Sequence, residues 1–257
     1  MCLIIFAHRV SAQYPLLIAA NRDEYHGRPT TISGFWPDHP QLLAGRDEQL
    51  GGTWMGIARN GRFAAVTNFR DPDASKAAPR SRGELPLKFL TDAIAIPDYL
   101  EDIAARADEY SGFNLLLGDR DSLWYFSNSS EKQQPVELPP GIYGLSNASL
   151  DTPWPKVTLG KTLLEQILQT NAPISHDLLL DLVNDKSLVK PHELEHIGLE
   201  SDMEQRLSAQ FIQSEAYGTR ASTTLWRSAG GEMNWREISY NPQGHVVGQT
   251  LEAFEPD

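Results

Sequence analysis

Two short apolar runs near the amino terminus constrain the fold most, because the polar stretch between them suits a turn between two strands. The runs cover residues 3–7 and 15–20, and each is flanked by polar residues, a pattern typical of short β-strands. If the turn centres on residue 12, antiparallel pairing places Cys2 opposite Arg22, with Asp23 alongside. The sequence therefore predicts a hairpin that gathers a thiol, a guanidinium and a carboxylate at one end.

Cys2 is chemically distinctive because initiator methionine is usually trimmed before a residue as small as cysteine. Trimming leaves a thiol and a free α-amine on one residue, and an amine with a reference pKa of about 7.7–8.0 can act as a base near neutral pH. A cation such as Arg22 lowers the pKa of a neighbouring thiol, and Asp23 would hold the amine by accepting a hydrogen bond. Nucleophile and base would then share one residue. The competing interpretation is a core residue, since free cysteine is among the most buried residue types.

The composition is that of an ordinary globular protein and excludes some classes of partner. Of 257 residues, 40% are hydrophobic and 22% are charged, as in typical soluble domains. The net charge of −12 argues against nucleic acid or an anionic membrane surface as partner. Since the chain has no linker, repeat or low-complexity tract, we expect one domain over residues 1–257 and a small molecule as substrate or ligand. The sequence does not indicate the oligomeric state.

The chain also lacks sequence signals for membranes and secretion. No apolar stretch approaches the roughly 18–20 residues of a membrane span, and the first apolar run is too short and lacks the basic flank of a signal peptide. A single cysteine excludes an internal disulfide and fits a reducing compartment. We therefore expect a cytoplasmic protein.

The order of predicted elements favours an α+β fold. Strands predominate up to about residue 70, and a loop follows over residues 71–82. Helical patterns cover 83–107, 154–168 and 178–183; strands cover 112–118, 122–127, 141–146, 220–226 and 232–240; and 186–210 reads as a polar surface excursion. Hairpins within blocks of strands favour mainly antiparallel sheets covered by helices over alternating βαβ units.

A literal H-E-x-x-H motif spans His192 to His196, with Glu215 as a conceivable third zinc ligand. Pro191 breaks a helix just upstream, and the surrounding residues offer few apolar side chains to bury such a site. The sequence therefore favours a solvated acidic segment and no metal.

Four polar residues at strand edges have both ordinary and functional interpretations. Asn68 and Asn147 each end a strand, where asparagine commonly caps a turn, but their amides are also suited to an oxyanion hole. Arg46, next to Asp47, reads as half of a surface ion pair, and Arg220 as an exposed arginine. Trp54, like Trp154 and Trp226, is more typical of a core than of a ligand site.

With these residues in view, the chain resembles the NRDE family, also called the transport-and-Golgi-organisation-two family. The resemblance spans nearly the whole chain and rests on nine stretches: 1–4, 20–24, 44–47, 51–56, 67–72, 81–84, 112–115, 145–147 and 217–223. Members of that family have been linked to haem trafficking and to acyl-lipid or acyl-CoA metabolism.

A more remote resemblance is to the cysteine-type N-terminal-nucleophile (Ntn) hydrolases, which include penicillin V acylase, bile-salt hydrolase and acid ceramidase. It implies a four-layer αββα sandwich of two mainly antiparallel sheets. It also implies a catalytic set of Cys2, Arg22, Asp23, Asn68, Asn147 and Arg220. We expect Asn21, Arg46, Trp54 and Arg70 to bind the substrate. One departure is that Arg22 and Asp23 are adjacent here, whereas the amidases separate the pair by two residues.

Two functional hypotheses follow. In the first, the protein is an amidase-type hydrolase in which Cys2 attacks a carbonyl, its own amine moves the proton, and Asn68 and Asn147 stabilise the oxyanion. Arg22 and Arg220 would lower the thiol pKa or hold a substrate carboxylate. In the second, the protein is a non-catalytic carrier or chaperone for haem or an acyl ligand, with Cys2 as an iron ligand or a core residue. No cofactor is expected beyond haem as a ligand.

Overall fold

The two predicted amino-terminal strands form an antiparallel hairpin inside a six-stranded sheet. In the computed structural model, β1 (Cys2–His8) pairs with β2 (Leu16–Tyr25), and Cys2 lies opposite Arg22. The predicted register is therefore confirmed. The structure describes residues 2–70, 78–130, 133–170, 172–190, 205 and 207–257.

Eleven further strands complete two antiparallel sheets. They are β3 (Thr30–Trp36), β4 (His39–Asp47), β5 (Met55–Ala58), β6 (Phe63–Asn68), β7 (Phe113–Gly118), β8 (Leu123–Ser127), β9 (Val136–Glu137), β10 (Gly141–Leu145), β11 (Tyr217–Arg227), β12 (Met233–Tyr240) and β13 (Val246–Phe254). The first sheet has the order β10-β1-β2-β11-β12-β13, and the second runs from β3 to β9 in sequence order.

Helices cover the outer face of each sheet. They are α1 (Glu84–Thr91), α2 (Ile96–Ala105), α3 (Pro155–Thr170) and α4 (His176–Leu180), with 3₁₀ turns at Ala107–Glu109 and Asp181–Val183. Pro97 lies in the first turn of α2, where its missing N–H costs nothing, and the Ser175 side chain caps α4 by accepting from the Leu178 N–H. The helices begin close to their predicted positions.

Three apolar clusters give the layering. One lies between the sheets and includes Phe6 and Trp235. A second joins the β3–β9 sheet to α1 and α2 through Phe89 and Leu100. A third joins the β1–β2 hairpin to α3 and α4 through residues such as Leu164. The architecture is the expected αββα sandwich of the α+β class.

The chain departs from the prediction in two places. Strands β3, β9 and β13 were not predicted, and the carboxyl-terminal strand β13 alternates between exposed and half-buried residues, so it lacks the apolar periodicity of a buried strand. The prediction of a surface excursion over 186–210 was wrong for 208–210, because Ser208, Ala209 and Gln210 are buried. The H-E-x-x-H motif lies outside the described residues.

Two glycines, Gly52 and Gly83, allow two loops beside the second sheet to approach each other closely. A Cβ at Gly52 would lie 2.5 Å from the Gly83 carbonyl carbon, and the Thr53 N–H donates to the Gly83 carbonyl at 3.0 Å. Only glycine permits this approach, which holds residues 80–83 next to the β4–β5 connection. Among the helices of the described ranges, none is both long and apolar enough to cross a membrane.

Candidate functional site

The end of the β1–β2 hairpin opens into a cleft of about 230 Å³. Its walls come from the ends of β1 and β2, the β4–β5 connection and the loop before α1. The lining residues are Cys2, Arg22, Asp23, Glu24, Arg28, Asp47, Leu50, Thr53, Trp54, Val66, Asn68, Arg80, Ser81, Arg82, Gly83 and Ser111. Five of the ten predicted site residues, Cys2, Arg22, Asp23, Trp54 and Asn68, therefore line one cleft.

Cys2 is fixed at the cleft by its backbone. Its N–H donates to Asn147 Oδ1 at 3.1 Å, and its carbonyl accepts from the Ser146 hydroxyl at 2.7 Å. Burial raises the pKa of the thiol, and Arg22 and the Asp23 backbone N–H oppose that shift. Arg22 therefore acts on the thiol pKa in the expected direction, but the overall shift is upward. Desolvation disfavours the thiolate more than the nearby cation favours it.

Arg22 stacks on Trp54, with its guanidinium carbon 4.2 Å from the ring centroid. The residue is only 7% exposed, and its Nη2 lies 3.8 Å from Glu24 Oε2. Among the described residues, Nη1 has no hydrogen-bond partner. The Trp54 ring packs directly against Gly45. A Cβ at that position would lie 2.2 Å from the ring, so a larger residue there would displace Trp54.

Asp23 is buried in a polar surrounding that the sequence did not reveal. Its Oδ1 accepts from Thr219 Oγ1 at 2.7 Å, and its backbone carbonyl accepts from the Tyr217 hydroxyl at 3.0 Å. Burial raises the pKa of the carboxyl group, and the charge of Lys156 counters that shift. Lys156 is itself 4% exposed in the first turn of α3. A lysine in an amphipathic helix gives no sequence signal of burial.

The two predicted oxyanion asparagines occupy different positions. Asn68 is exposed and lines the cleft. Asn147 is buried, accepts from the Cys2 N–H through Oδ1 and donates through Nδ2 to the Asn68 carbonyl at 2.8 Å. Asn147 therefore positions Cys2 and Asn68, and it does not line the cleft in this arrangement.

Arg220 occupies a bulge between Thr219 and Ala221, where β11 pairs with β2. Its Nη1 donates to the carbonyl oxygens of Tyr25 and Arg28. Arg220 thus stabilises the β2–β3 turn and does not line the Cys2 cleft. Arg220 lines an adjoining cavity of about 280 Å³. Arg22 and Trp54 line both spaces and lie between this cavity and the Cys2 cleft.

Three residues expected to bind substrate, Asn21, Arg46 and Arg70, do not line this cleft. Asn21 is buried and donates to the carbonyls of Val183 and Gln210, because its side chain ties β2 to neighbouring loops. Arg46 pairs with Asp38 at 2.9 Å, since alternation along β4 turns it away from the cleft-lining Asp47. Arg70 donates its backbone N–H to the Asn147 carbonyl.

Three arginines of the cleft were missed: Arg28, Arg80 and Arg82. Arg28 forms a bidentate pair with Asp47, at 3.1 and 2.7 Å, so the predicted Arg46–Asp47 pair does not form. Arg82 donates to the Gly112 carbonyl at 3.1 Å. The one available signal for Arg82 was its place in the stretch 81–84 shared with the resembled family. In the described part of the chain, no group of three or more His, Cys, Asp or Glu side chains is arranged to hold a metal ion.

Two solved structures share this fold at very low sequence identity. The chain matches a conjugated bile acid hydrolase from Clostridium perfringens with a TM-score of 0.54 at 8% identity, covering 99% of this chain and 98% of that one. It matches an N-acylethanolamine-hydrolyzing acid amidase orthologue from Caenorhabditis elegans with a TM-score of 0.51 at 9% identity, covering 90% and 93%. These likenesses establish an Ntn-hydrolase fold.

Sequence relatives identify the family. The family model described as Transport and Golgi organisation 2 matches residues 1–242. The human Transport and Golgi organization protein 2 homolog is 36% identical over 258 residues, covering 93% of each chain. The Drosophila melanogaster Transport and Golgi organization protein 2 is 25% identical over 282 residues, covering 100% of this chain and 94% of the relative. The chain therefore belongs to the Transport and Golgi organisation 2 family.

Proposed function

We propose that this protein is an Ntn-type hydrolase that cleaves an amide or related acyl bond of a small molecule, with Cys2 as nucleophile after removal of Met1. One observation carries the proposal. The backbone nitrogen of Cys2 is held by Asn147 Oδ1 at 3.1 Å, while Cys2 lines the cleft beside Arg22. That nitrogen becomes the α-amine when the methionine is removed, so a base and a nucleophile would meet in the cleft.

The chemistry needs no other base. The neutral amine takes the thiol proton, and the sulfur attacks the carbonyl carbon to form a tetrahedral oxyanion. As the oxyanion collapses, the acyl bond to the leaving group breaks and the ammonium returns the proton to that group. Water, deprotonated by the same amine, then hydrolyses the thioester. Because burial raises the pKa of the thiol, a base on the same residue would help the thiol to ionise.

The surrounding residues have roles in this scheme that follow from their contacts. Asn147 Oδ1 orients the amine, and its Nδ2 holds the Asn68 backbone. The Asn68 side chain, on the cleft wall, is the candidate donor to the oxyanion. Arg22 favours the thiolate, and Asp23, held by Thr219, balances the ammonium charge. The Ntn-hydrolase fold is consistent with a hydrolase of this type, and it does not indicate the substrate.

The test compares three forms of the protein against a panel of N-acyl amides, with released acid measured by mass spectrometry. They are the wild type, Cys2→Ser and a chain with lysine inserted between Met1 and Cys2. The insertion blocks methionine removal, so it keeps the thiol but moves the α-amine off Cys2. We expect turnover by the wild type and loss of at least about 10³-fold in the insertion form.

Full activity of the insertion form would contradict the proposed role of the amine. A wild type that retains Met1, leaves Cys2 inert to alkylation and binds haem or an acyl ligand without turnover would favour the alternative, a non-catalytic carrier that uses the same cleft.

A further inference from the structure

The Cys2 cleft concentrates positive charge in an acidic protein. The chain has a net charge of −12, yet four arginines and three carboxylates line this one cleft: Arg22, Arg28, Arg80 and Arg82, against Asp23, Glu24 and Asp47. Whether these arginines are available to a ligand depends on which of them already have an anionic partner.

Two of the four are neutralised within the protein. Arg28 holds Asp47 with both arms of its guanidinium, at 3.1 and 2.7 Å. Arg80 holds Glu84 at 2.6 Å and Glu109 at 3.0 Å. Bidentate and paired contacts of this kind use the donors that an external anion would need.

The other two arginines are less fully paired: Arg22 has one long ion pair, to Glu24, and Arg82 has a neutral acceptor. Arg22 is 7% exposed, its Nη1 has no hydrogen-bond partner in the described chain, and its Nη2 is 3.8 Å from Glu24. Arg82 donates to the neutral Gly112 carbonyl, and among the described residues no carboxylate lies within ion-pair distance of it. A buried cation and an unpaired donor are both costly in a folded protein. An external anion in the cleft, which both arginines line, would offset the cost of the buried charge.

We propose that Arg22 and Arg82 form an anion subsite beside Cys2, which selects acyl substrates that carry a carboxylate or phosphate close to the scissile bond. The planar guanidinium fork matches the oxygen geometry of either group. The subsite joins two separate elements, since Arg22 belongs to β2 and Arg82 lies in the loop before α1. As a statement of substrate class, the inference rests on the proposed function; as a binding site, it does not.

Two nearly isosteric alkylating agents test the subsite without requiring hydrolysis. Iodoacetate is anionic and iodoacetamide is neutral, and both react with Cys2, which is the single cysteine. The ratio of their rates cancels any change in the fraction of thiolate. In the wild type we expect the alkylation rate to saturate with iodoacetate concentration, and we expect iodoacetate to react faster than iodoacetamide. Arg82→Gln should lower the iodoacetate-to-iodoacetamide ratio about tenfold, the effect of losing one charge-assisted contact.

The control is Arg120→Gln, which makes the same change of charge at an exposed arginine outside the cleft. It should leave the ratio unchanged, and Arg82→Lys should give an intermediate ratio. Protection by acetate and by inorganic phosphate distinguishes a carboxylate site from a phosphate site. A wild-type alkylation rate that does not saturate with iodoacetate concentration would overturn the subsite. So would an iodoacetate-to-iodoacetamide ratio that is equal in folded Arg82→Gln and in the wild type.

A second comparison separates the subsite from catalysis. N-acylglycine is anionic and the corresponding N-acyl methylamide is neutral. Arg82→Gln should lower the ratio of kcat/KM for the anionic amide to kcat/KM for the neutral amide about tenfold. Equal losses would reject the subsite while the hydrolase stands, and alkylation selectivity without turnover would reject the hydrolase while the subsite stands.

Discussion

At the scale of single residues, the site is a balance between burial and charge around Cys2. Burial raises the pKa of the thiol and of Asp23, and it lowers the pKa of Arg22 and Lys156. Each shift favours the neutral form, and each is opposed by a neighbour of opposite charge. Two substitutions test separate parts of this balance.

Removing the Arg22 cation should make Cys2 a weaker acid. In Arg22→Met, burial still disfavours the thiolate, but the charge that opposes this effect is lost. We expect the pH midpoint of iodoacetamide alkylation to move upward, and Arg22→Lys to restore part of the shift. The measurement is the alkylation rate between pH 6 and 10 by intact mass. A midpoint that is unchanged or lower would show that Arg22 does not act on the thiol.

Removing the Lys156 cation should destabilise the fold, because buried Asp23 then loses part of the positive charge that offsets its burial. We expect Lys156→Met to lower the free energy of unfolding by about 3–5 kcal/mol at neutral pH. Lys161→Met, in the same helix, breaks the more exposed pair with Asp151 and should cost about 0–1 kcal/mol. Urea unfolding measures both. Equal losses in the two variants would contradict a buried partnership between Lys156 and Asp23.

At the scale of elements, the cleft depends on how closely the loop before α1 approaches the β4–β5 connection. Gly52 and Gly83 touch through their backbones, and the Thr53 N–H donates to the Gly83 carbonyl. This contact sets the position of Arg82 on one side and Trp54 on the other.

Gly52→Ala should therefore separate the two loops. The new Cβ meets backbone at 2.5 Å, which cannot give way as a flexible side chain does, so we expect a loss of about 1–3 kcal/mol. The iodoacetate preference of Cys2 should fall as well. Gly34→Ala, in open space on β3, should stay within about 0.5 kcal/mol. Unchanged stability and selectivity in Gly52→Ala would show that the contact is not needed.

The hairpin was predictable because two apolar runs and one turn fix its register, and a shift by one residue would turn every side chain to the other face. Strand β13 was not, since an edge strand with little burial lacks that pattern. The same limit applied to the site. Cys2 and Arg22 follow from the register, whereas Arg82 and Lys156 reach the site through loop and helix packing, which no local pattern encodes.

At the scale of the whole molecule, the two sheets are joined by polar contacts as well as by the central apolar cluster. Glu237 of β12 accepts from the Ser33 N–H of β3 at 2.7 Å, and Trp235 donates to the Ser33 hydroxyl at 3.0 Å. Glu237 is fully buried, and burial raises the pKa of its carboxyl group despite these bonds. The sandwich therefore carries an ionisable group between its sheets.

Glu237 should make stability depend on pH. With its folded pKa above its unfolded pKa, the folded state binds the proton more tightly. The contribution of Glu237 to the free energy of unfolding is therefore greatest at low pH. It falls as the pH rises from the unfolded pKa through the folded pKa of this carboxyl group. Glu237→Gln should flatten the decline in unfolding free energy between pH 4 and 8, whereas exposed Glu101→Gln should leave it unchanged. An identical slope in Glu237→Gln and the wild type would contradict this prediction.

The central claim is that Cys2, freed of Met1, is acylated in the cleft. The most direct measurement is the intact mass of the protein, quenched in acid after brief mixing with a p-nitrophenyl acyl ester, for the wild type and for Cys2→Ser. We predict a wild-type chain that lacks Met1 and carries one acyl group, removed by hydroxylamine as expected for a thioester, and no such adduct in Cys2→Ser. A wild-type chain that retains Met1, or that gains no hydroxylamine-sensitive acyl group, would contradict the account.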